Sequence, residues 1–276
     1  MATKGRTVLI TGSTDGVGRR VAERLAQAGM IVLVHGRDHD RAERLLVDIR
    51  NAGGSGAFYP ADLSSLSDVR SLAEAVQRDY GRLDILINNA GIGTGGRGAG
   101  RQISGDGHEL RFAVNYLSGF LLTHLLLPLL QAGRAARIVN VASAGQQPID
   151  FADVMLTRGY SGTRAYCQSK LAQIMFTFDL ARDLEGSGVT ATCLHPATYM
   201  DTTMVRAAGI APISTVDVGA DAILYLAVST EMEGRTGLYF DGLRPSRANA
   251  QAYDMTARER LRALSFQLVG LPDPGA

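Results

Sequence analysis

Residues 7–18 read TVLITGSTDGVG, an apolar run that passes directly into a glycine-spaced turn. The run Thr7–Thr11 has the almost continuously apolar, β-branched character of a strand buried on both faces. The segment Gly12-Ser13-Thr14-Asp15-Gly16-Val17-Gly18 then opens a helix-period stretch. Gly12 permits a sharp reversal, Gly16 lets the backbone approach a pyrophosphate, and Gly18 lets the helix pack close to the sheet. Free N–H groups and the positive dipole end at the helix start complete an anion cradle. The spacing is GxxxGxG rather than GxGxxG, and three glycines in a turn also serve plain turn chemistry. Placement between a first strand and a first helix is what gives the pattern its weight.

Outward from this turn the same alternation repeats. IVLV at 31–34, AFYPA at 57–61, DILIN at 84–88, RIVNV at 137–141 and TATCL at 190–194 read as strands, with LYFD at 238–241 a weaker seventh. Helical periodicity falls near 17–28, 40–52, 67–80, 107–132, 164–185 and 216–228. This is the rhythm of βαβ crossovers, and it predicts an α/β fold: one doubly wound Rossmann domain, a seven-stranded parallel sheet flanked by helices. No internal repeat or linker interrupts the chain, so residues 1–276 are expected to form a single dinucleotide-binding domain. Gly91–Gly107 reads as a surface loop, and 144–163 as a polar connection. Residues 197–215 read as a substrate flap carrying Met200, Met204, Val205, Ile210 and Ile213, or alternatively as packing on the sheet. An extension follows residue 241, with helical spacing over Ala257–Val269.

Composition narrows the function classes. Hydrophobic residues make up 46% and charged residues 20% of the 276, enough for a sizeable core. The formal net charge is +1, which supplies no electrostatic reason for a nucleic-acid or anionic-membrane partner. Cys167 and Cys193 lack metal or CxxC spacing, and the five histidines form no ligand cluster, so no metal is expected. The N-terminus lacks a secretory pattern, and the apolar stretch Phe120–Leu130 is too short to span a bilayer, so cytoplasmic residence is expected. Lys4 and Lys170 are the only lysines, an arginine excess that codon bias in a GC-rich genome explains. Lys170 therefore raises the question of what requires an ammonium where a guanidinium would not serve.

Two short segments carry the chemistry. The second strand ends His35-Gly36-Arg37-Asp38. Gly36 leaves room, and the planar fork of Arg37 suits a ribose 2′-phosphate, which favours NADP(H). Asp38 would instead hold unphosphorylated ribose hydroxyls, which keeps NAD(H) open. In Tyr166-Cys167-Gln168-Ser169-Lys170 a phenol and an ammonium lie four residues apart, on one helix face. A neighbouring ammonium favours the phenolate and should bring the tyrosine pKa down toward the working range of an acid/base catalyst.

Taken together these segments make the chain resemble the short-chain dehydrogenase/reductases from Thr7 to about Asp241. The resemblance rests on TGSTDGVG at 11–18, Asp62-Leu63, Asn88-Asn89-Ala90-Gly91, Asn115 within FAVNYLSGFLLT, Ser143 in IVNVAS, YCQSK at 166–170 and His195-Pro196. DGHELRFAVNYLSGFLLTHLLLP and the long gap between Ser143 and Tyr166 look most like the retinol-dehydrogenase-like branch. The resemblance implies Tyr166 as general acid/base and Ser143 as the donor to the substrate oxygen. It implies that Lys170 holds the nicotinamide ribose and that Asn115 anchors a water in a proton relay. Asp62 and Leu63 would meet the adenine, Asn89-Ala90-Gly91 the adenosine ribose, and Pro196 with Thr198 the nicotinamide end.

Departures exist. Ala197 replaces the family's usual glycine, which leaves open whether Thr198, Thr202 or Thr203 serves the carboxamide. Asp15 stands where many NADP-dependent members carry a basic residue, so Arg37 would supply most of the phosphate preference. The expected activity is NADP(H)-dependent reduction of a ketone or aldehyde, on an apolar small molecule. NAD(H)-dependent alcohol oxidation is the alternative, and a non-catalytic dinucleotide sensor is the reading from another class. A homodimer or homotetramer built on helices 107–132 and 164–185 is implied by resemblance alone.

Overall fold

The computed structural model describes residues 3–96 and 98–275. In chain order its first half contains β1 (Thr7–Ile10), α1 (Gly16–Gln27), β2 (Ile31–Gly36), α2 (His39–Asn51), β3 (Ser55–Pro60), α3 (Leu66–Asp79) and β4 (Ile85–Asn88). Then come α4 (Leu110–Phe112), a π-helical turn (Ala113–Leu117), α5 (Ser118–Gln131), β5 (Arg137–Val141), α6 (Gly162–Asp183) and β6 (Thr190–His195). The last elements are α7 (Thr203–Ala207), α8 (Val216–Val228), β7 (Leu238–Asp241), β8 (Arg244–Ser246) and α9 (Met255–Val269). Side-chain caps start the helices: Asp15, Asp38, Ser65, Ser161 and Thr215 each accept a hydrogen bond from the first turn that follows.

The strand order is β3-β2-β1-β4-β5-β6-β7-β8. Leu9 of β1 sits between Leu33 of β2 and Leu86 of β4, so the order reverses direction at the first strand. That switch point opens a crevice at the carboxyl ends of β1 and β4. The sheet has eight strands where seven were expected, and the eighth is antiparallel: after the left-handed Gly242, Arg244 pairs back with Asp241 and Ser246 with Tyr239. Arg244-Pro245-Ser246 is exposed throughout and has no apolar alternation, so no sequence period announces it. A proline is tolerated there because an edge strand leaves its missing N–H facing solvent.

One face of the sheet is covered by α1, α2 and α8 over Val8, Ile10, Val32, Val34 and Val139. The other is covered by α3, α5, α6 and α9 over Leu9, Leu33, Leu86 and Ile138. The apolar stretch expected to be too short for a bilayer belongs to a continuous helical run, Leu110–Gln131, of 22 residues. By length and composition that run could cross a membrane, and 67% of its most apolar window is buried inside this fold.

The extension after residue 241 folds back onto the body. Phe266 of α9 stacks against Phe120 and His124 of α5 with ring centres 5.0 and 4.9 Å apart. The Ser265 hydroxyl meets that of Tyr116 at 2.6 Å, and Arg258 binds Asp179 of α6 at 2.5 Å. The chain's own last helix thus occupies a face of α5 and α6, the helices on which an oligomer was expected.

Candidate active site

Parallel strands all end at one edge of the sheet, so the loops after β1, β4, β5 and β6 converge without any contact in sequence. At the β1 loop, Gly12 and Gly16 both adopt left-handed backbone, with φ of +64° and +54°. A Cβ on Gly18 would stand 2.3 Å from the Gly12 carbonyl oxygen and 2.4 Å from Asn89 Nδ2. Only a bare backbone fits there. Asn89 donates from Nδ2 to the carbonyls of Thr11 and Gly12 at 2.8 and 3.1 Å, while the Thr11 hydroxyl accepts from the N–H groups of Asn89 and Ala90. The Asn89-Ala90-Gly91 segment therefore braces the glycine turn as well as bordering it. Ser13 is fully buried and tied to the β2 backbone at His35, and Thr14 packs its hydroxyl against Gly36. Val17 faces the core.

His35 was not singled out by sequence. Its Nδ1 accepts the Gly12 N–H at 3.0 Å from beneath the turn, and burial lowers its pKa to about 4. It stays neutral at ordinary pH, which the acceptor role requires. No motif flags it, because its significance depends on β2 lying beside β1.

Ser143, Tyr166, Lys170 and Asn115 come together between β5, α6 and the π-helical turn. Ser143 follows β5, and its Oγ accepts the Gly145 N–H at 3.0 Å. Tyr166 retains accessible surface and shares a hydrogen bond with Ser143. Lys170 is buried, and its Nζ donates to the Val141 carbonyl at 2.8 Å and to Gln173 Oε1 at 3.0 Å. Its distance to the centre of the Tyr166 ring is 5.9 Å.

The expected drop in the tyrosine pKa is not what this packing produces. Burial raises the Tyr166 phenol above its ordinary value, and the Ser143 hydrogen bond works against that rise. The same burial lowers Lys170 to about 7. Both groups shift toward their neutral forms, because a low-dielectric surrounding penalises either charge.

Asn115 sits in the π-helical turn Ala113–Leu117, a wide turn that re-aims a side chain out of helical register. Both ends of its amide grip Ile92: Oδ1 accepts the Ile92 N–H at 2.7 Å and Nδ2 donates to the Ile92 carbonyl at 3.1 Å. Its Nδ2 also reaches Ser169 Oγ at 3.0 Å, and Ser169 donates to the Tyr166 carbonyl. A Cβ on Gly91 would lie 3.2 Å from Asn115 Oδ1 and 3.5 Å from Lys170 Nζ. Gly91, Asn115 and Lys170 thus lie in one close-packed polar cluster.

A buried ion pair that the sequence reading missed lies beside this cluster. Glu109 and Arg111 lie 3.5 Å apart, and both bond the Tyr160 hydroxyl, at 3.1 and 2.6 Å. Arg111 Nε donates to the Gly93 carbonyl at 2.8 Å, and Glu109 caps the Phe112 N–H at 2.7 Å. The cluster fastens the loops after β4 and β5 to the start of the π-helical turn.

At the other end of the crevice, Arg37 is 72% exposed, with Asp62 at 3.8 Å. Asp62 Oδ1 accepts the Ser64 N–H, and Leu63 is buried beside it. Asp38 is committed elsewhere: its Oδ1 accepts the Arg41 N–H at 2.9 Å, and Arg41 Nε lies 3.3 Å from its Oδ2. Asp15 is likewise engaged. Burial alone would raise its carboxyl, but hydrogen bonds from Thr203, Gly16 and Arg41 hold it below its ordinary value.

Beyond β6, Pro196 is buried, and the Thr198 hydroxyl is bonded to His195 Nε2 at 3.0 Å. Of the three threonines left open by sequence, Thr202 caps α7 and lies against Gly16. Thr203 reaches Asp15 at 2.8 Å. Tyr199 takes a left-handed φ of +43° soon after β6, and Met204 of α7 overhangs Gly93. Residues 197–215 thus touch the glycine turn through Thr202 and Thr203 and the loop after β4 through Met204.

Comparison with known proteins gives a consistent result. Residues 6–211 match the short chain dehydrogenase family profile. Human retinol dehydrogenase 13 is 37% identical over 290 residues, spanning 98% of this chain and 86% of that protein. A solved structure of an uncharacterized protein from Mycobacterium paratuberculosis has a TM-score of 0.82 at 32% identity, covering 99% of this chain and 96% of the other. A short chain dehydrogenase from Burkholderia cenocepacia, solved in complex with NADP, has a TM-score of 0.71 at 27% identity, covering 87% of this chain and 97% of the other.

Proposed function

This chain belongs to the short chain dehydrogenase family, in its retinol-dehydrogenase-like branch, and on that premise we propose an NADP(H)-dependent oxidoreductase acting on a ketone or aldehyde and its alcohol. The observation that carries the proposal is the meeting of Ser143, Tyr166, Lys170 and Asn115 at the strand edge that also holds the glycine turn. The turn fits a dinucleotide: two left-handed glycines and a Gly18 with no room for a side chain bring backbone N–H groups up to a pyrophosphate. Such a cofactor, when bound, supplies or accepts the hydride.

The chain's own residues handle the proton and the oxygen. The Ser143 hydroxyl stabilises charge on the substrate oxygen. Tyr166 donates its phenolic proton to that oxygen in carbonyl reduction and recovers one in alcohol oxidation. Lys170 holds ribose hydroxyls as a compact donor and, with its pKa lowered to about 7, also exchanges protons near neutrality. An arginine could not do so, which answers why a lysine stands at this position. Asn115, fixed by the Ile92 backbone and Ser169, is the residue through which the family relation would pass the proton onward.

NADP(H) is favoured over NAD(H) because Asp38 has both oxygens turned to Arg41 while Arg37 is largely exposed. An apolar substrate suits the flap, where Met204 and Ile213 keep surface exposed. The test is turnover of NADPH and of NADH against a panel of apolar aldehydes and ketones. Carbonyl-dependent oxidation of NADPH supports the proposal; absence of turnover with every carbonyl and alcohol, despite cofactor binding, would leave the sensor reading in its place.

A further inference from the structure

Two side-chain donors converge on the main chain of Ser143 from positions to which no role has been given above. The Ser143 carbonyl accepts the Tyr239 hydroxyl of β7 at 3.2 Å and Gln146 Nε2 at 3.0 Å. The other end of the Gln146 amide is used as well: its Oε1 accepts the Asn249 N–H at 2.7 Å. A second glutamine makes the reciprocal contact. Gln251 Oε1 accepts the Ile149 N–H at 2.6 Å, and its Nε2 donates to the Ile149 carbonyl at 3.2 Å. Asn249 and Gln251 belong to the extension after β8, whereas Gln146 and Ile149 lie in the loop that follows Ser143. Tyr239, Asn249 and Gln251 stand 96 to 103 residues from the groups they meet, so no motif flags them. Tyr239 is buried, which raises its phenol above the ordinary value and keeps it a proton donor at every working pH.

We propose that Tyr239, Gln146 and Gln251 are positioning residues for the reaction: they hold the Ser143 peptide so that its hydroxyl stays beside Tyr166, which makes the extension after β8 part of the active-site scaffold. The inference rests on the oxidoreductase reading above. The physical link is the short turn Ser143-Ala144-Gly145. Ser143 Oγ accepts the N–H two residues on, and such a turn closes only over a narrow range of the serine ψ angle. Two donors on the carbonyl fix the peptide plane after Ser143, and with it that angle. Ala144 is exposed and Gly145 half-buried, so packing of the turn itself supplies little restraint. Gln146 is kept from turning because both ends of its amide are bonded, and Gln251 anchors the same loop three residues further on. A tilt of the peptide would move the hydroxyl away from the Tyr166 phenol to which it is bonded. Misplacement of a reacting group by about 1 Å costs on the order of 10²-fold in rate, so this restraint is felt in the transition state.

The experiment is a double-mutant cycle on kcat, with Gln146→Leu, Tyr239→Phe and Gln251→Leu each made in the wild type and in Ser143→Ala. Turnover is followed as NADPH oxidation by the panel carbonyl that the wild type reduces fastest. Thermal melting checks that each variant is folded at the assay temperature. Tyr239→Phe removes one oxygen and leaves the ring in place, so it carries the test even if a leucine variant fails to fold. In the wild-type background Gln146→Leu and Tyr239→Phe should each lower kcat about ten-fold, a fraction of what loss of an oxyanion donor costs. Gln251→Leu, one step further from Ser143, should lower kcat about three-fold, and KM and NADPH affinity should stay within about two-fold throughout. In Ser143→Ala each change should alter kcat by less than about two-fold, because the group being positioned is gone. The same fold loss in both backgrounds would mean that these residues act on packing alone. No loss in the wild type would mean that Ser143 is held without them. Either result overturns the proposal and leaves the oxidoreductase reading standing, and loss at Gln146 and Tyr239 without loss at Gln251 overturns the part given to the extension. A wild type that turns over no carbonyl or alcohol removes both readings together.

Discussion

The Lys170 ammonium stands 5.9 Å from the centre of the Tyr166 ring, while its hydrogen bonds go to the Val141 carbonyl and to Gln173 rather than to the phenol. The group hydrogen-bonded to the phenol is Ser143, and the tyrosine's shift follows from burial and that bond. Behind Lys170 a buried polar ladder continues: Gln173 accepts from Lys170, its carbonyl accepts from Thr177, and Thr177 accepts from Asn140, which in turn meets Asn88. A charge buried this deeply is kept in place because each neighbouring polar group is itself held.

Replacing Tyr166 with phenylalanine removes one oxygen and no packing. Turnover should fall by roughly 10²–10⁴-fold, the usual contribution of a positioned acid/base. NADPH affinity, read by fluorescence titration, should stay within about two-fold because the glycine turn is untouched. Retained turnover would mean that another group moves the proton.

Lys170→Met bears on stability through its pH dependence. The folded-state pKa of Lys170 is lowered to about 7 from an ordinary 10.5, so between those values the unfolded chain binds more protons. Stability therefore rises with pH across that window, and the cost of burying the ammonium is fully present below pH about 7. The Tm difference, Lys170→Met minus wild type, should be most positive below pH about 7 and shrink toward pH about 10. A difference that does not vary with pH would show that the native lysine is not held near neutrality.

At Gly18 the test is steric. A methyl group there would stand 2.3 Å from the Gly12 carbonyl oxygen, and backbone cannot yield cheaply. Gly18→Ala should cost about 1–3 kcal/mol of stability by denaturant titration and weaken both cofactors alike. Unchanged affinity would place the dinucleotide elsewhere.

The Glu109–Arg111–Tyr160 cluster joins two loops through a buried charge pair. Arg111→Met leaves Glu109 buried without its partner, and losses of about 3–5 kcal/mol are typical of such breaks. Because Arg111 also holds Gly93, kcat should fall with it, whereas Tyr160→Phe should cost about 1–2 kcal/mol and spare most of kcat. Unchanged kcat in Arg111→Met, measured below its melting temperature, would separate this cluster from the site.

Helix α9 makes a prediction about association. Its Phe266 covers Phe120 and His124, so the full chain of 29.4 kDa should sediment as a monomer unless another face is used. Phe266→Ala should cost about 3–5 kcal/mol. Truncation after Asp254 should uncover the α5–α6 face and drive self-association. A stable dimer of the intact chain would place its contact away from the face that α9 covers.

The alternation of apolar runs and helical periods by itself determined the doubly wound fold, because crossover handedness leaves few ways to bury both kinds of element. The glycine turn and the Tyr166–Lys170 spacing were equally legible, since their geometry is local: a strand, a turn, and one face of a helix. Tertiary structure alone decided the rest. Arg41 reaches Asp15 across 26 residues, and Thr203 reaches it across 188. His35 matters only because β2 lies beside β1, and β8 exists only because β7 offers an edge. The direction in which Tyr166 and Lys170 shift followed the same logic. Spacing places a charge beside a phenol, but burial sets what each charge costs, and burial is a property of the folded surroundings rather than of the motif.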